Sequence, residues 1–265
     1  MTKVYGILFF VMMVCVGCEW HLKPASPDDT DVVMTIDRFD RIESLFLTTG
    51  DFSAMQQMNT TYPMQTRLLI EDMLCVGKVD DPDINMKFLR FFQDSTLQHL
   101  LADVQEQYAD VDDLNEELSA AFGRLKEDMP ELVLPKVYAQ IGSFDESILV
   151  GHGTLGISLD KYLGSDYPFY QAHYSENQRQ LMVRQMIVPD CLAFYILSLY
   201  PMPGHDSADV AVRDRHMGKI QWVVNRVTHR EVFRNSQVDA VGRYMNAHRT
   251  TPLGELLRDS TAAAY

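Results

Sequence analysis

Along most of the chain apolar residues recur at a helical spacing, and only short stretches switch to the two-residue repeat of strands. Residues 32–39 alternate and are rich in β-branched side chains, which predicts a first strand with Arg38 between Asp37 and Asp40 at its end. A helix follows through Phe46, then shorter ones over 51–59 and 63–76, the second with Pro63 in a first turn where its missing N–H is not needed. Gly77 and Asp80-Asp81-Pro82 break the pattern. Ile84, Phe88 and Phe91 mark one short helix, and Leu97, Leu100, Leu101, Val104 and Tyr108 mark the next. The clearest helix starts on an acidic, capping-box-like Asp113 and Glu116 and carries Leu114, Leu118, Phe122 and Leu125 on one stripe until Met129-Pro130.

From 134 to 162 the period changes. Val137, Ala139 and Ile141 alternate, 147–150 is a short apolar run, and Ile157 with Leu159 alternates again, predicting three strands. Gly151-His152-Gly153 between the last two predicts a hairpin, since glycine takes positive φ without steric cost. Beyond Pro168 helical spacing returns over 178–200, 220–233 and 238–245. These elements predict an α+β fold, mostly helical, with helices packed on one small, mainly antiparallel sheet.

The N-terminus follows different rules. Lys3 and the apolar run 4–16, about a dozen residues, form the n- and h-regions of a signal and are too short for a membrane of roughly 30 Å. Cys15-Val16-Gly17-Cys18 then places small or apolar residues before a cysteine, the pattern of a bacterial lipoprotein signal, although Cys15 stands where Leu is commonest. The expected organisation is a signal peptide at 1–17, lipid attachment at Cys18, a Pro-, Ser- and Asp-rich tether over 18–31, and a single domain over 32–265. A plain secretory signal is the competing reading.

Composition narrows the function classes. A chain of 265 residues that is 46% hydrophobic buries a real core, and a net charge of −14 makes nucleic acid an unsuited partner. The acidic stretch 103–131 reads as a solvated helix face. Beyond the signal only Cys75 and Cys191 remain, each in an apolar helical pattern that favours a buried free thiol over a disulfide. No G-x-S-x-G elbow, P-loop or nicotinamide fingerprint occurs, and no cofactor is expected. His205, Asp206, Asp209 and Asp214 lie in a run that reads as loop, so with His216 they are not expected to make a metal site, and His152 reads as a solvated turn residue. Asp190 in an apolar helix is expected to pair with Arg184 or Arg179. Tyr162, Tyr167, Phe169 and Tyr170 are the candidate partner or ligand contacts, because aromatic rings with polar tips suit an interface. The same loop could instead pack across the sheet edge.

The segment Gly156-Ile157-Ser158-Leu159-Asp160-Lys161-Tyr162-Leu163-Gly164-Ser165-Asp166-Tyr167-Pro168-Phe169-Tyr170 resembles the GldB-type gliding-motility lipoproteins of the Bacteroidetes. Leu134-Pro135-Lys136-Val137-Tyr138, Arg38-Phe39-Asp40, Ile187-Val188-Pro189-Asp190 and Met217-Gly218-Lys219-Ile220 carry the same likeness. The resemblance implies a distant, zincin-like relation to zinc proteases, whose H-E-x-x-H helix follows the strands and whose later Glu completes the site. Here the corresponding helix, 186–195, has no histidine, and Met217 precedes Gly218 where the Glu is expected. What the resemblance implies is therefore a pseudoenzyme with no metal. It would be a lipid-anchored, periplasm-facing envelope protein of the gliding or type IX secretion machinery that meets an envelope protein partner through surface contacts. A divergent metal-dependent hydrolase is the alternative.

Overall fold

Two glycine-flanked strands fold back on each other as their spacing predicts, and a third strand lies alongside in the opposite sense to that expectation. The computed structural model describes residues 32–151, 153–202 and 209–259. The expected signal, Cys18 and tether lie outside the described residues, as do His152, His205 and Asp206. Strands β1 (Ile36–Asp37), β2 (Lys136–Gln140), β3 (Ile148–Gly151) and β4 (Thr154–Ser158) form one sheet in the order β1-β2-β4-β3. The β3–β4 hairpin is antiparallel, with Gly151 opposite Thr154 and Gly153 at φ +74°. The other two pairings, β1 with β2 and β2 with β4, are parallel, so the sheet is mixed and the expectation of a mainly antiparallel sheet is corrected. Parallel strands need long crossovers, which leave no turn signal to read. β2 and β4 occupy the centre and are buried on both faces rather than alternating.

The first strand is also shorter than its pattern. Met34 N–H donates to Ser119 Oγ (2.9 Å) and Ile36 N–H to Asn115 Oδ1 (2.8 Å), so side chains of a helix take the backbone groups a neighbouring strand would have paired. That helix is α6 (Asp112–Asp128). It buries Leu114, Leu118, Phe122 and Leu125 as predicted, but it starts without a side-chain cap. Before it come α1 (Phe39–Thr49), α2 (Phe52–Thr61), α3 (Pro63–Arg67), α4 (Ile84–Phe91) and α5 (Ser95–Gln107). α1 ends on Gly50 at φ +68°, whose N–H caps Phe46 O, and Asp51 then caps α2 through Ser53 N–H (2.8 Å). The helix predicted over 63–76 changes at Leu68–Met73 to π-type bonding and stops there, leaving Cys75 exposed at φ +51°. That corrects the reading of Cys75 as buried. Cys75 and Cys191 are both free thiols.

After the sheet, α7 (Pro168–His173) and α8 (Glu176–Arg179) precede α9 (Ile187–Leu199). The apolar run 178–200 is therefore not one helix. Pro189 has no N–H, and its ring would meet the carbonyl four residues before it, so α9 cannot extend much further back. α10 (Val210–Thr228) begins ten residues before its apolar stripe because Asp209 caps it through Ala211 N–H, which places Asp214 on a helix and not in a loop, with His216 further along it. α11 (Ser236–Ala247) and α12 (Leu253–Arg258) complete the described chain. α1 lies against β2 on one side of the sheet, while α9 lies against β3 and β4 and is backed by α6 and α10.

Candidate functional site

Among the residues that carry the family likeness, Arg38 and Asp40 follow the carboxyl end of β1, and Asp160 and Tyr162 follow that of β4, the end at which open sheets place their polar sites. Arg38, just before α1, holds Asp40 with two hydrogen bonds (2.8 and 2.7 Å) and also donates to Tyr108 O (2.8 Å). Tyr108 Oη donates to Tyr162 O (2.6 Å), and Tyr162 Oη donates to Asp190 Oδ2 (2.8 Å). One chain of polar contacts thus runs from Asp40 to Asp190 through the interior. Asp40, Tyr108 and Tyr162 are buried and Asp190 is half-buried. Burial lifts the Asp190 carboxyl to about 6, partly opposed by the Tyr162 hydroxyl.

A second polar group sits beneath α1. Tyr138 and Gln140 share one face of β2, and Gly156 and Ser158 lie beside them on β4. Glu43 projects onto this face from α1, with Oε2 accepting Ile141 N–H (2.9 Å). Asp160 accepts Gly142 N–H (2.7 Å) and Phe144 N–H (2.6 Å), one on each oxygen. Those two bonds hold a loop in which Ser143 and Phe144 both have positive φ, 55° and 67°, a strained arrangement for side-chain-bearing residues. Burial pushes both Glu43 and Asp160 above the ordinary carboxylate range, against the backbone N–H bonds that favour their ionised forms. Burial, with Glu43 nearby, raises the Tyr138 phenol to about 12.

The four aromatic candidates divide into two pairs. Tyr162 and Tyr170 are 1% and 0% exposed, and their hydroxyls are committed to Asp190 and to the Asp160 carbonyl. Tyr167 and Phe169 are half-buried. Tyr167 Oη donates to Asp103 (2.9 Å), and the Phe169 ring stacks on Phe144 at 3.8 Å. Asp190 does not pair with arginine: Arg184 binds Asp113 (2.6 Å) and Arg179 binds Ser165 O (2.8 Å). His216 is buried with Nε2 2.8 Å from Tyr200 O, and burial lowers its proton affinity. Among the described residues, no group of three His, Cys, Asp or Glu side chains is placed to hold a metal ion. What the described fold supports is α+β, mostly helical with one small mixed sheet, and nothing in it supports the zincin-like part of the expectation. A cavity of about 430 Å³ opens elsewhere, between Leu132, Leu199, His216 and Leu257.

Sequence reasoning missed Glu43, which belongs to none of the motifs read from the chain. The one available signal was that Tyr138, Gln140 and Ser158 put polar atoms on the face it covers. Gly218 in the Met217-Gly218-Lys219-Ile220 motif is also explained: a Cβ there would lie 2.5 Å from Gln237 Cβ, so the glycine lets α10 and α11 approach. Among the described residues, no helix is long and apolar enough to cross a membrane. A family model described as gliding motility protein GldB matches residues 21–231. No curated protein and no solved structure matches the chain.

Proposed function

Because the chain belongs to the GldB gliding-motility family, we propose that it is a non-catalytic envelope lipoprotein that works by holding a folded body next to a protein partner. Cys18, once acylated, is the attachment point, and the tether through 31 keeps the domain near the membrane on the periplasmic side. Confinement to a surface raises the effective concentration of the domain beside any partner held there, so modest contacts suffice. Half-buried Tyr167 and Phe169, at the start of α7, are the contacts assigned to that partner.

The observation that carries this reading is how the family-motif residues are used. Arg38, Asp40, Asp160, Tyr162 and Asp190 have their polar groups bonded to one another or to backbone, which fixes the turn leading into α7, where Tyr167 and Phe169 stand. A hydrolytic site needs its acid and base within reach of a substrate, and fully buried Asp40, Glu43 and Asp160 have no such reach. The test is co-purification after mild cross-linking from intact cells, comparing wild type with Cys18→Ser. An envelope protein captured by wild type and lost in the variant supports the proposal. Stoichiometric zinc in the purified mature protein, with peptidase activity abolished by chelation, refutes it.

A further inference from the structure

Three buried polar atoms under α1 have no hydrogen-bond partner in the protein: Glu43 Oε1, Tyr138 Oη and Gln140 Oε1. Their residues are 0%, 2% and 0% exposed, so bulk water does not reach them. Such atoms are rare in folded proteins, since an unmet buried acceptor costs ~1–3 kcal/mol. Three of them at one helix–sheet junction ask for a common cause.

The neighbouring bonds show how each atom is left over. Glu43 uses Oε2 on Ile141 N–H (2.9 Å). Gln140 turns its amide nitrogen to Ser158 Oγ and Met73 Sδ, both at 3.3 Å, which leaves its oxygen over. The Tyr138 ring crosses β4 at Gly156, where a Cβ would stand 2.5 Å from its hydroxyl. Tyr138 and Gln140 are two apart on one strand and so share a face, and Glu43 meets that strand's next residue but is close enough for its charge to act on the phenol. The set holds two acceptors and one hydroxyl. A water molecule has two donors and can accept one bond from that hydroxyl, so it completes the set, in line with the roughly three bonds a buried water makes.

We propose that one internal water binds here, accepting from Tyr138 Oη and donating to Glu43 Oε1 and Gln140 Oε1, as a built part of the joint between α1 and the sheet. A metal ion suits the site poorly. Among the described residues, Glu43 offers a carboxylate oxygen to it, while Asp40 is held by Arg38 and both oxygens of Asp160 are held by Gly142 and Phe144 N–H. The glycine at 156 is then needed for the hydroxyl to sit where the water can receive its proton.

The experiment is a near-atomic-resolution crystal structure of the full-length protein, paired with solution NMR of the same chain. The expected result is a single solvent peak within hydrogen-bond distance of all three oxygens, and cross-relaxation between the Tyr138 hydroxyl proton and a long-lived water that vanishes in Tyr138→Phe. A direct Tyr138–Glu43 bond with no solvent peak would overturn the proposal. So would a peak with the short, oxygen-only coordination of a cation. If crystals are not obtained, a Tyr138 hydroxyl proton with no water contact, in protein whose spectrum shows it folded, overturns it equally.

Discussion

Replacing Asp190 with Asn is expected to stabilise the protein at neutral pH and leave it unchanged in acid. Burial moves the Asp190 carboxyl from an ordinary 3.8 to about 6. Between those values the folded protein holds a proton that the unfolded chain has released, so stability falls as pH rises from 3.8 to about 6 and is level above. At about 1.36 kcal/mol per pKa unit the difference sets a ceiling of ~3 kcal/mol, and because Asp190 is half-buried, solvent screening reduces the expected effect to ~1–2 kcal/mol. Asn fixes the neutral form and keeps an oxygen to accept the Tyr162 hydroxyl. Urea unfolding of both proteins at pH 3.0 and pH 7.5 reads the effect as a shift of midpoint at constant slope, with the variant higher by ~1–2 kcal/mol at the upper pH and nearly equal at the lower, which lies below both pKa values. Glu43 and Asp160 titrate in the same direction, so the comparison uses the difference between the proteins and not the wild-type profile alone. A variant less stable than wild type at pH 7.5, or a gap that is the same at both pH values, would refute the reasoning.

Other substitutions probe the joints directly. Among the described residues, Arg38→Met leaves buried Asp40 with the more distant Arg41 (3.9 Å) as its cation, and is expected to destabilise by ~3–5 kcal/mol in a urea titration. Gly156→Ala drives a methyl group into the Tyr138 ring and is expected to cost ~1–3 kcal/mol in the same assay, whereas alanine at Gly151, where nothing lies within 4 Å, costs far less. Phe169→Ala removes the ring stacked on Phe144, a loss of ~1–2 kcal/mol that leaves the domain folded by circular dichroism, while the yield of cross-linked partner falls.

Much of the helical architecture was legible from apolar spacing. The stripe on α6 appears as predicted, and the hairpin between β3 and β4 follows from its glycines. What escaped was set by distant parts of the chain. The parallel pairing of Ile36 with Val137 leaves no local mark, and the backbone of 34–36 is taken by Asn115 and Ser119, which nothing nearby in sequence announces. The polar cluster was hidden for a related reason. Tyr138 and Gln140 alternate with Val137 and Ala139, a pattern that reads as one wet face and one dry face. α1 covers the face that looked wet, so those residues became a buried network with Glu43. The motif residues were recognisable as a family likeness, but their connection from Asp40 to Asp190 through Tyr108 and Tyr162 exists only in three dimensions.

The most direct test of the central claim is quantitative cross-linking in intact cells of three proteins side by side: wild type, Cys18→Ser, and Phe169→Ala. An anchored, partner-binding domain predicts one specific envelope protein captured by wild type, loss of that capture with release of the protein from the membrane fraction in Cys18→Ser, and weakened capture with normal membrane retention in Phe169→Ala. Equal capture by all three, or no specific partner while wild type sits in the membrane fraction, would contradict it.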